Sequence, residues 1–345
     1  MSSAEQIRSV VDGVVEPYLQ QTLGQLKMVR SAAVDRVEIE LPTPAYRKRD
    51  ELTAAIQSAV GQPVAVEFTT VVRGKNSGRN IGLNVKNVIA VGSGKGGVGK
   101  STVAAALACG LKHSGATVGL MDADVYGPSI PHMVGAKGQP TVRQLQTNDG
   151  RTIERIEPIE VDGLKLMSMG FMVSEDQAVI WRGPMLHKAL SQFLQQTDWG
   201  ELDYLVIDMP PGTGDVALTL SQMVPLAGAV VVCTPQQVAL LDAVKAVSMF
   251  RTVKIPVLGM VENMSGDIFG RGGAKAKAEA LGIPFLGEVA ANSVIREQGD
   301  AGRMNQLFAE ESSVREALLD VCGEVAMQVV REIGSGPAMP TLELL

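Results

Sequence analysis

Two lysines, a serine and a run of glycines stand together at Gly94-Lys95-Gly96-Gly97-Val98-Gly99-Lys100-Ser101-Thr102. The pattern Gly94-x-x-x-x-Gly99-Lys100-Ser101 has the spacing of a loop that holds phosphate. Glycines let successive backbone N–H groups turn inward around an anion. A helix that starts at the end of such a loop adds its own partial positive charge. Lys100 is then placed to hold the β- and γ-phosphates of a nucleotide, and the Ser101 hydroxyl to ligate Mg²⁺. An apolar run at 88–91 precedes the loop and a helical stretch at 102–112 follows it. Strand, glycine-rich loop and helix form the context that gives the motif its meaning. All nine residues from Gly94 to Thr102 are therefore expected to line a nucleotide.

Carboxylates stand where further apolar runs end. Asp122 and Asp124 follow the run 118–121, and acids at i and i+2 point to the same side. One can orient an attacking water while the other supports a metal shell. Asp208 ends the run 204–207 and is expected to reach Mg²⁺ through water. Gly212, in Pro210-Pro211-Gly212-Thr213-Gly214-Asp215, can present its N–H to a γ-phosphate as a switch, and Asp215 reads as a helix cap or a supporting group. Asn263 follows the run 257–261, and its amide has the donor and the acceptor needed to read a purine edge.

These positions need a scaffold. The chain has 345 residues, enough for two domains or one large domain with an appendage. From residue 86 onward, short apolar runs at 88–91, 118–121, 204–207, 229–232, 257–261 and 285–286 alternate with helical stretches. That texture predicts an α/β fold, a doubly wound and mostly parallel sheet covered on both faces, with ligands beyond the carboxyl ends of the strands. Residues 1–72 read as a separate small α/β unit. Ser3 and Gln6 fit a capping box ahead of Ile7, Val10, Val11, Val14 and Val15. Val34, Val37, Ile39 and Leu41 suggest a strand, Leu52, Ala55, Ile56 and Ala59 a helix, and Val64, Val66 and Phe68 a second strand. The polar segment 73–85, with Gly74, Gly78 and Gly82, reads as a flexible linker, residues 86–335 as the nucleotide domain, and 336–345 as a frayed tail.

Composition removes several alternatives. Hydrophobic residues make up 46%, aromatics 4%, and the formal net charge is −6. An acidic chain is a poor general binder of nucleic acid. No apolar run is long enough to span a bilayer, and MSSAEQIRSV does not read as a signal peptide, so a cytoplasmic protein is expected. Cys109, Cys233 and Cys322 have neither metal-ligand nor redox spacing.

The second lysine of the loop, Lys95, resembles the deviant P-loop subclass that includes MinD, ParA, the nitrogenase iron protein and the arsenite pump ATPase. That resemblance implies an ATP-sandwich homodimer in which Lys95 reaches the partner's nucleotide, with Asp124 as the water-positioning acid and Asn263 on adenine. The match is closer to one family. VIAVGSGKGGVGKSTVAAALA, LMDADVYGPSIPHMVG, IWRGPMLHKAL, YLVIDMPPGTGD and GMVENMS…IFGRGGAKAKAEALGIPFLGEV resemble the Mrp/ApbC family over roughly residues 86–330. The N-terminal unit resembles the small iron–sulfur-assembly domain often fused to its bacterial members. The resemblance implies a slow, Mg²⁺-dependent ATPase that carries iron–sulfur clusters and meets assembly proteins or apoprotein clients.

Two departures matter. The family's CxxC between the Asn-Met-Ser and Ile-Phe-Gly blocks is missing, since Asn263-Met264-Ser265-Gly266-Asp267 runs straight into Ile268-Phe269-Gly270. The family's Cys after Thr-Pro-Ala is Tyr46 here. Clusters need thiolates, typically four, and the three remaining cysteines read as buried hydrophobes, so no iron–sulfur ligand is identified. His113, His132 and His187 show no ligand spacing. Arg182 has a partner-contact or packing role open to it, and Lys275 and Lys277 read as a solvated helix face. A nucleotide-gated adaptor of the MinD/ParA type, carrying no cluster itself, is therefore a second reading. Its membrane-docking form needs a basic amphipathic helix, which the mixed charges of 313–333 do not provide. An ATP-dependent ligase is a third, against which the two-lysine loop argues.

Overall fold

The computed structural model describes residues 3–74, 81–146, 152–172, 183–212 and 214–335. The N-terminal unit comprises α1 (Ala4–Asp12), β1 (Val29–Ala32), β2 (Arg36–Leu41), α2 (Arg49–Val60) and β3 (Ala65–Thr70). The capping box forms: the Gln6 N–H donates to Ser3 Oγ at 3.3 Å, and the Ser3 N–H to Gln6 Oε1 at 2.8 Å. The strands lie in the order β1-β2-β3, antiparallel then parallel. Val37, Ile39 and Leu41 of β2 bury against Ile7, Val11, Leu52 and Ile56. The sequence does not announce β1, because only Val29 of its four residues is fully buried. Val34, expected within a strand, lies exposed in the turn between β1 and β2.

The large unit adds, in chain order, β4 (Val85–Gly92), α3 (Lys100–His113), β5 (Val118–Asp122), α4 (Ile130–Val134), β6 (Thr141–Gln146), β7 (Thr152–Glu157), β8 (Ile159–Val161) and β9 (Leu164–Ser168). It continues with α5 (Gly183–Gln195), β10 (Leu202–Asp208), α6 (Gly214–Met223), β11 (Gly228–Cys233), α7 (Gln237–Thr252) and β12 (Val257–Ser265). The last elements are α8 (Gly273–Leu281), β13 (Phe285–Ala290), α9 (Ser293–Asp300) and α10 (Ser313–Ser335). Eight strands form one sheet, β13-β12-β11-β4-β10-β5-β9-β8, parallel throughout except for the terminal β8–β9 pair. Alternate residues of β4 feed opposite layers, as the pleat requires. Ile89 and Val91 enter the core beneath α3 and α10, while Val88 and Ala90 enter the core beneath α5, α6 and α7. Each of the six runs read from sequence lies in a parallel strand. Missed were β8, β9 and the exposed β6–β7 hairpin, whose polar residues break the apolar signal.

The two units are joined by more than the connecting segment. Met327 of α10 belongs to the core of the N-terminal unit. Arg47 pairs with Glu316 and, at 2.9 Å, with Asp320. Arg331 donates to the Tyr18 carbonyl at 2.7 Å. The Tyr204 hydroxyl of β10 meets Thr43 Oγ1 at 3.0 Å, both side chains buried. The described ends of the expected linker are held as well: Arg73 pairs with Glu40 at 3.1 Å, and its carbonyl accepts from Asn87 at 2.9 Å. The middle of that segment and the tail 336–345 lie outside the described residues, and α10 runs two residues beyond Ile333. Tyr204→Phe, which removes one of the two groups that donate to Thr43 Oγ1 and leaves the Ala45 N–H, is expected to cost about 1 kcal/mol of stability. The check is a lower denaturant midpoint at an unchanged m value.

Candidate functional site

The site sits at the carboxyl ends of β4, β5, β10 and β12. The loop after β4 enters α3 through Gly99, whose φ of +77° is a left-handed conformation that glycine adopts without strain. A Cβ at this position would run into the Asn263 amide, and one at Gly94 into the Asp242 carbonyl of α7. Lys100, the first residue of α3, is buried, and its ammonium lies among oxygens. It donates to Asp208 Oδ1 at 2.6 Å and to Ser101 Oγ at 3.3 Å, and lies 3.5 Å from Asp124 Oδ2. Parallel register carries Asp208 and Asp122 to the same level at the ends of β10 and β5.

The two acids of β5 and its following loop do different work. Asp122 is fully buried and accepts three bonds: from the Asp124 N–H at 3.1 Å, the Ile130 N–H at 3.3 Å and Ser168 Oγ at 3.0 Å. Expected to support a metal shell, partly through water, Asp122 also organises the loop from 123 to 130 with its oxygens. Asp124 turns its Oδ1 to the Tyr126 and Gly127 N–H groups, at 3.0 and 3.3 Å, leaving Oδ2 toward Lys100. Burial, with the nearby Asp208 charge, pushes the Asp122 carboxyl up to about 7, against the pull of the Asp124 N–H, Ser168 and Lys100. Burial raises Asp208 as well, and Lys100 opposes it.

Asp208 Oδ2 is buried with no hydrogen-bond partner among the described residues. A lone buried carboxylate oxygen beside a serine hydroxyl and an ammonium suits a hard divalent cation and phosphate oxygens. Residues Ser101 and Asp208 therefore fit Mg²⁺, while Asp122 is already engaged with protein donors.

The other expected residues converge on the same loop. Gly212, at φ +65°, donates its N–H to the Ser93 carbonyl at 3.1 Å, so a γ-phosphate would have to draw it away. Asn263 donates from Nδ2 to the Val98 carbonyl at 2.9 Å, bracing the phosphate loop. Lys95 is half-buried and forms no ion pair with a described residue. Ser93 Oγ donates to the Lys95 carbonyl at 2.9 Å. Asp215 occupies the first turn of α6. Thr213, Trp181 and Arg182 lie outside the described residues. Sequence reading missed Ser168 and Glu262. Glu262 is wholly buried and holds the Gly272 and Ala274 N–H groups at 2.7 Å each. The run Leu164-Lys165-Leu166-Met167-Ser168 was the available signal for Ser168.

All three thiols are buried in separate elements, Cys109 in α3, Cys233 at the end of β11 and Cys322 in α10. Burial pushes Cys109 and Cys233 up to about 12 and raises Cys322 further, which opposes thiolate formation. The segment without CxxC is a closed turn, in which Gly266 and Gly270 exchange N–H···O bonds of 2.9 and 2.7 Å and Ile268 stands exposed. Tyr46, at the other departure, is buried and donates its hydroxyl to the buried Glu16. His132 meets the Asp300 carbonyl, and His113 stacks on Phe308. Among the described residues, no group of three or more His, Cys, Asp or Glu is arranged to hold a metal, and no helix is long and apolar enough to cross a membrane.

A parallel sheet whose central strand feeds a glycine loop and a lysine-led helix, with acids at the neighbouring strand ends, defines a P-loop NTPase. The chain belongs to the ParA family described as NUBPL iron-transfer P-loop NTPases, whose model matches residues 84–326. Curated relatives extend the match. An iron–sulfur cluster carrier protein of Haemophilus influenzae is 43% identical over 94% of this chain and 91% of its own length. The iron–sulfur cluster transfer protein NUBPL of Dictyostelium discoideum is 48% identical over 71% of this chain and 77% of its own length. Among solved structures, a nucleotide-binding protein of Archaeoglobus fulgidus in complex with ADP is 37% identical, covering 66% of this chain and 90% of that one, with a TM-score of 0.55. The cell division ATPase MinD of Pyrococcus furiosus shares the fold at 21% identity, covering 69% of this chain and 98% of that one, with a TM-score of 0.53.

Gly99→Ala, which forces a left-handed alanine against Asn263, is expected to weaken ADP binding at least about tenfold. An ADP titration by calorimetry checks this.

Proposed function

We propose that this protein is a Mg²⁺-dependent ATPase acting in iron–sulfur cluster assembly or transfer, in the cytoplasm and as an ATP-gated homodimer. The observation that carries the reading is the Lys100 ammonium, held by Asp208 with Asp124 and Ser101 beside it at the mouth of the phosphate loop. The names of the curated relatives support the iron–sulfur role.

The chemistry follows from the positions. Loop amides from Gly94 to Thr102 and the N-terminus of α3 surround the phosphates. Lys100 exchanges its contact with Asp208 for β- and γ-phosphate oxygens. Ser101 and Asp208 would hold Mg²⁺, which when bound neutralises charge on those oxygens. Asp124 orients the attacking water with Oδ2, its other oxygen fixed by two backbone N–H groups. Gly212 leaves the Ser93 carbonyl for the γ-phosphate, and so reports whether that phosphate is present. Asn263 braces the loop and contacts adenine. Lys95, half-buried and without an ion pair to a described residue, reaches the nucleotide of the partner subunit.

A specific observation favours a second reading for the cargo. The closed Gly266–Gly270 turn and the buried thiols leave the cluster without ligands of the usual kind. In that reading the protein is a nucleotide-gated adaptor, and an assembly protein or client supplies the thiolates.

Lys100→Ala should abolish ATP hydrolysis. Lys95→Ala should keep nucleotide binding while lowering turnover at least about tenfold and losing ATP-linked dimerisation, read by phosphate release and light scattering. Parent-like turnover in Lys95→Ala would remove the trans role. Iron and sulfide analysis of protein purified without oxygen separates the readings: stoichiometric cluster supports a carrier, and none supports the adaptor.

A further inference from the structure

The P-loop helix has a second end. Its last residue, His113, lies with Ser114 in the wall of a cavity of about 350 Å³ between the N-terminal unit and the NTPase unit. Arg47 enters that wall from the segment after β2, Arg49 and Asp50 from the first turn of α2, and Arg315 from the first turns of α10. Three arginines and an imidazole thus face one carboxylate, and they come from separate elements that the fold brings together.

The pairing of these arginines is uneven. Arg47 is saturated, since it takes both Glu316 and Asp320. Arg315 has only long ion pairs, 4.0 Å to Glu311 and 3.7 Å to Glu316, and its buried Nε has no partner. Among the described residues Arg49 makes a single bond, to the Pro44 carbonyl at 3.2 Å. The α2 N-terminus, which carries Arg49 and Asp50, has Lys48 at its cap position and no side-chain capping bond. The first turn of this helix carries Asp50 and Glu51, which offset the partial positive charge of its free N–H groups. Burial, then the Arg315 and Lys112 charges, hold the His113 imidazole below the usual range. Planar guanidinium groups with donors to spare match the oxygens of phosphate and carboxylate.

We propose that this cavity is a binding site for a small multivalent oxyanion, a phosphate or a polycarboxylate, held chiefly by Arg49 and Arg315 at the joint between the two units. The site is separate from the phosphate loop and lies at the opposite end of α3. A bound anion ties α2 of the N-terminal unit to α3 and α10, and so couples the posture of that unit to the helix that begins with Lys100.

The test uses the full chain carrying Lys100→Ala, so that the phosphate loop does not compete. Inorganic phosphate and citrate are titrated separately by calorimetry. Saturable binding of at least one is expected, and which one binds more tightly names the source. Arg49→Gln with Arg315→Gln should weaken that binding at least about tenfold, and Arg49→Lys with Arg315→Lys should retain part of it. Both pairs should keep the anion-free thermal midpoint within a few degrees. The His113 ring proton, followed by NMR, should titrate at higher pH with the anion present. Its charged neighbours are Lys112 on its own helix, Asp162 from the β8–β9 turn, Arg49 and Asp50 from α2, and Arg315 with Glu316 from α10. No saturable binding of either probe, binding unchanged in the glutamine pair, or an unmoved His113 titration would each overturn the proposal.

Discussion

One buried ammonium organises the nucleotide end of this molecule. Lys100 is the first residue of α3, and its Nζ lies 2.6 Å from Asp208 and 3.5 Å from Asp124. Three charges taken out of water are tolerable only if they compensate each other. That requirement fixes where β4, β5 and β10 must end relative to one another. It also leaves Asp208 Oδ2 without a partner among the described residues.

Around that centre each strand end contributes one device. The β5 end supplies Asp122, which spends its oxygens on the loop that carries Asp124. The β10 end supplies Asp208 and then Gly212, tethered to Ser93. The β12 end supplies Asn263, which braces the loop at Val98, and Glu262, which faces the other way to hold the start of α8. Two adjacent side chains of β12 thus hold the phosphate loop on one side and the start of α8 on the other. In this chain the Gly266–Gly270 turn is closed and carries no cysteine, so the nucleotide machinery is present without the usual thiol pair.

Much of this was legible because it is local. GKGGVGKS between an apolar run and a helical stretch implies a strand, a glycine loop and a helix start whatever the rest of the chain does. The central strands were legible for a related reason: a strand buried on both faces is an uninterrupted apolar run. Exposed strands were not. In β1 only Val29 is fully buried, and β6 and β7 are largely exposed, so their side chains follow solvent rather than a pattern. The ends of the expected linker gave no sign of being held, since Arg73 meets Glu40 and Asn87 only once the chain is folded.

By itself, then, the sequence determined the chemistry on offer: a phosphate cradle with two lysines, acids at the ends of parallel strands, and no thiols at the usual positions. Tertiary structure alone decided which groups meet. Asp122 and Asp124 look equivalent at i and i+2, but only the fold brings Ser168 from β9 to one and Lys100 from α3 to the other. The arginines around His113, likewise, come from positions more than 260 residues apart. The reason is physical: spacing along a chain sets what a segment can do, whereas burial and partnership depend on packing between segments that the chain order does not reveal.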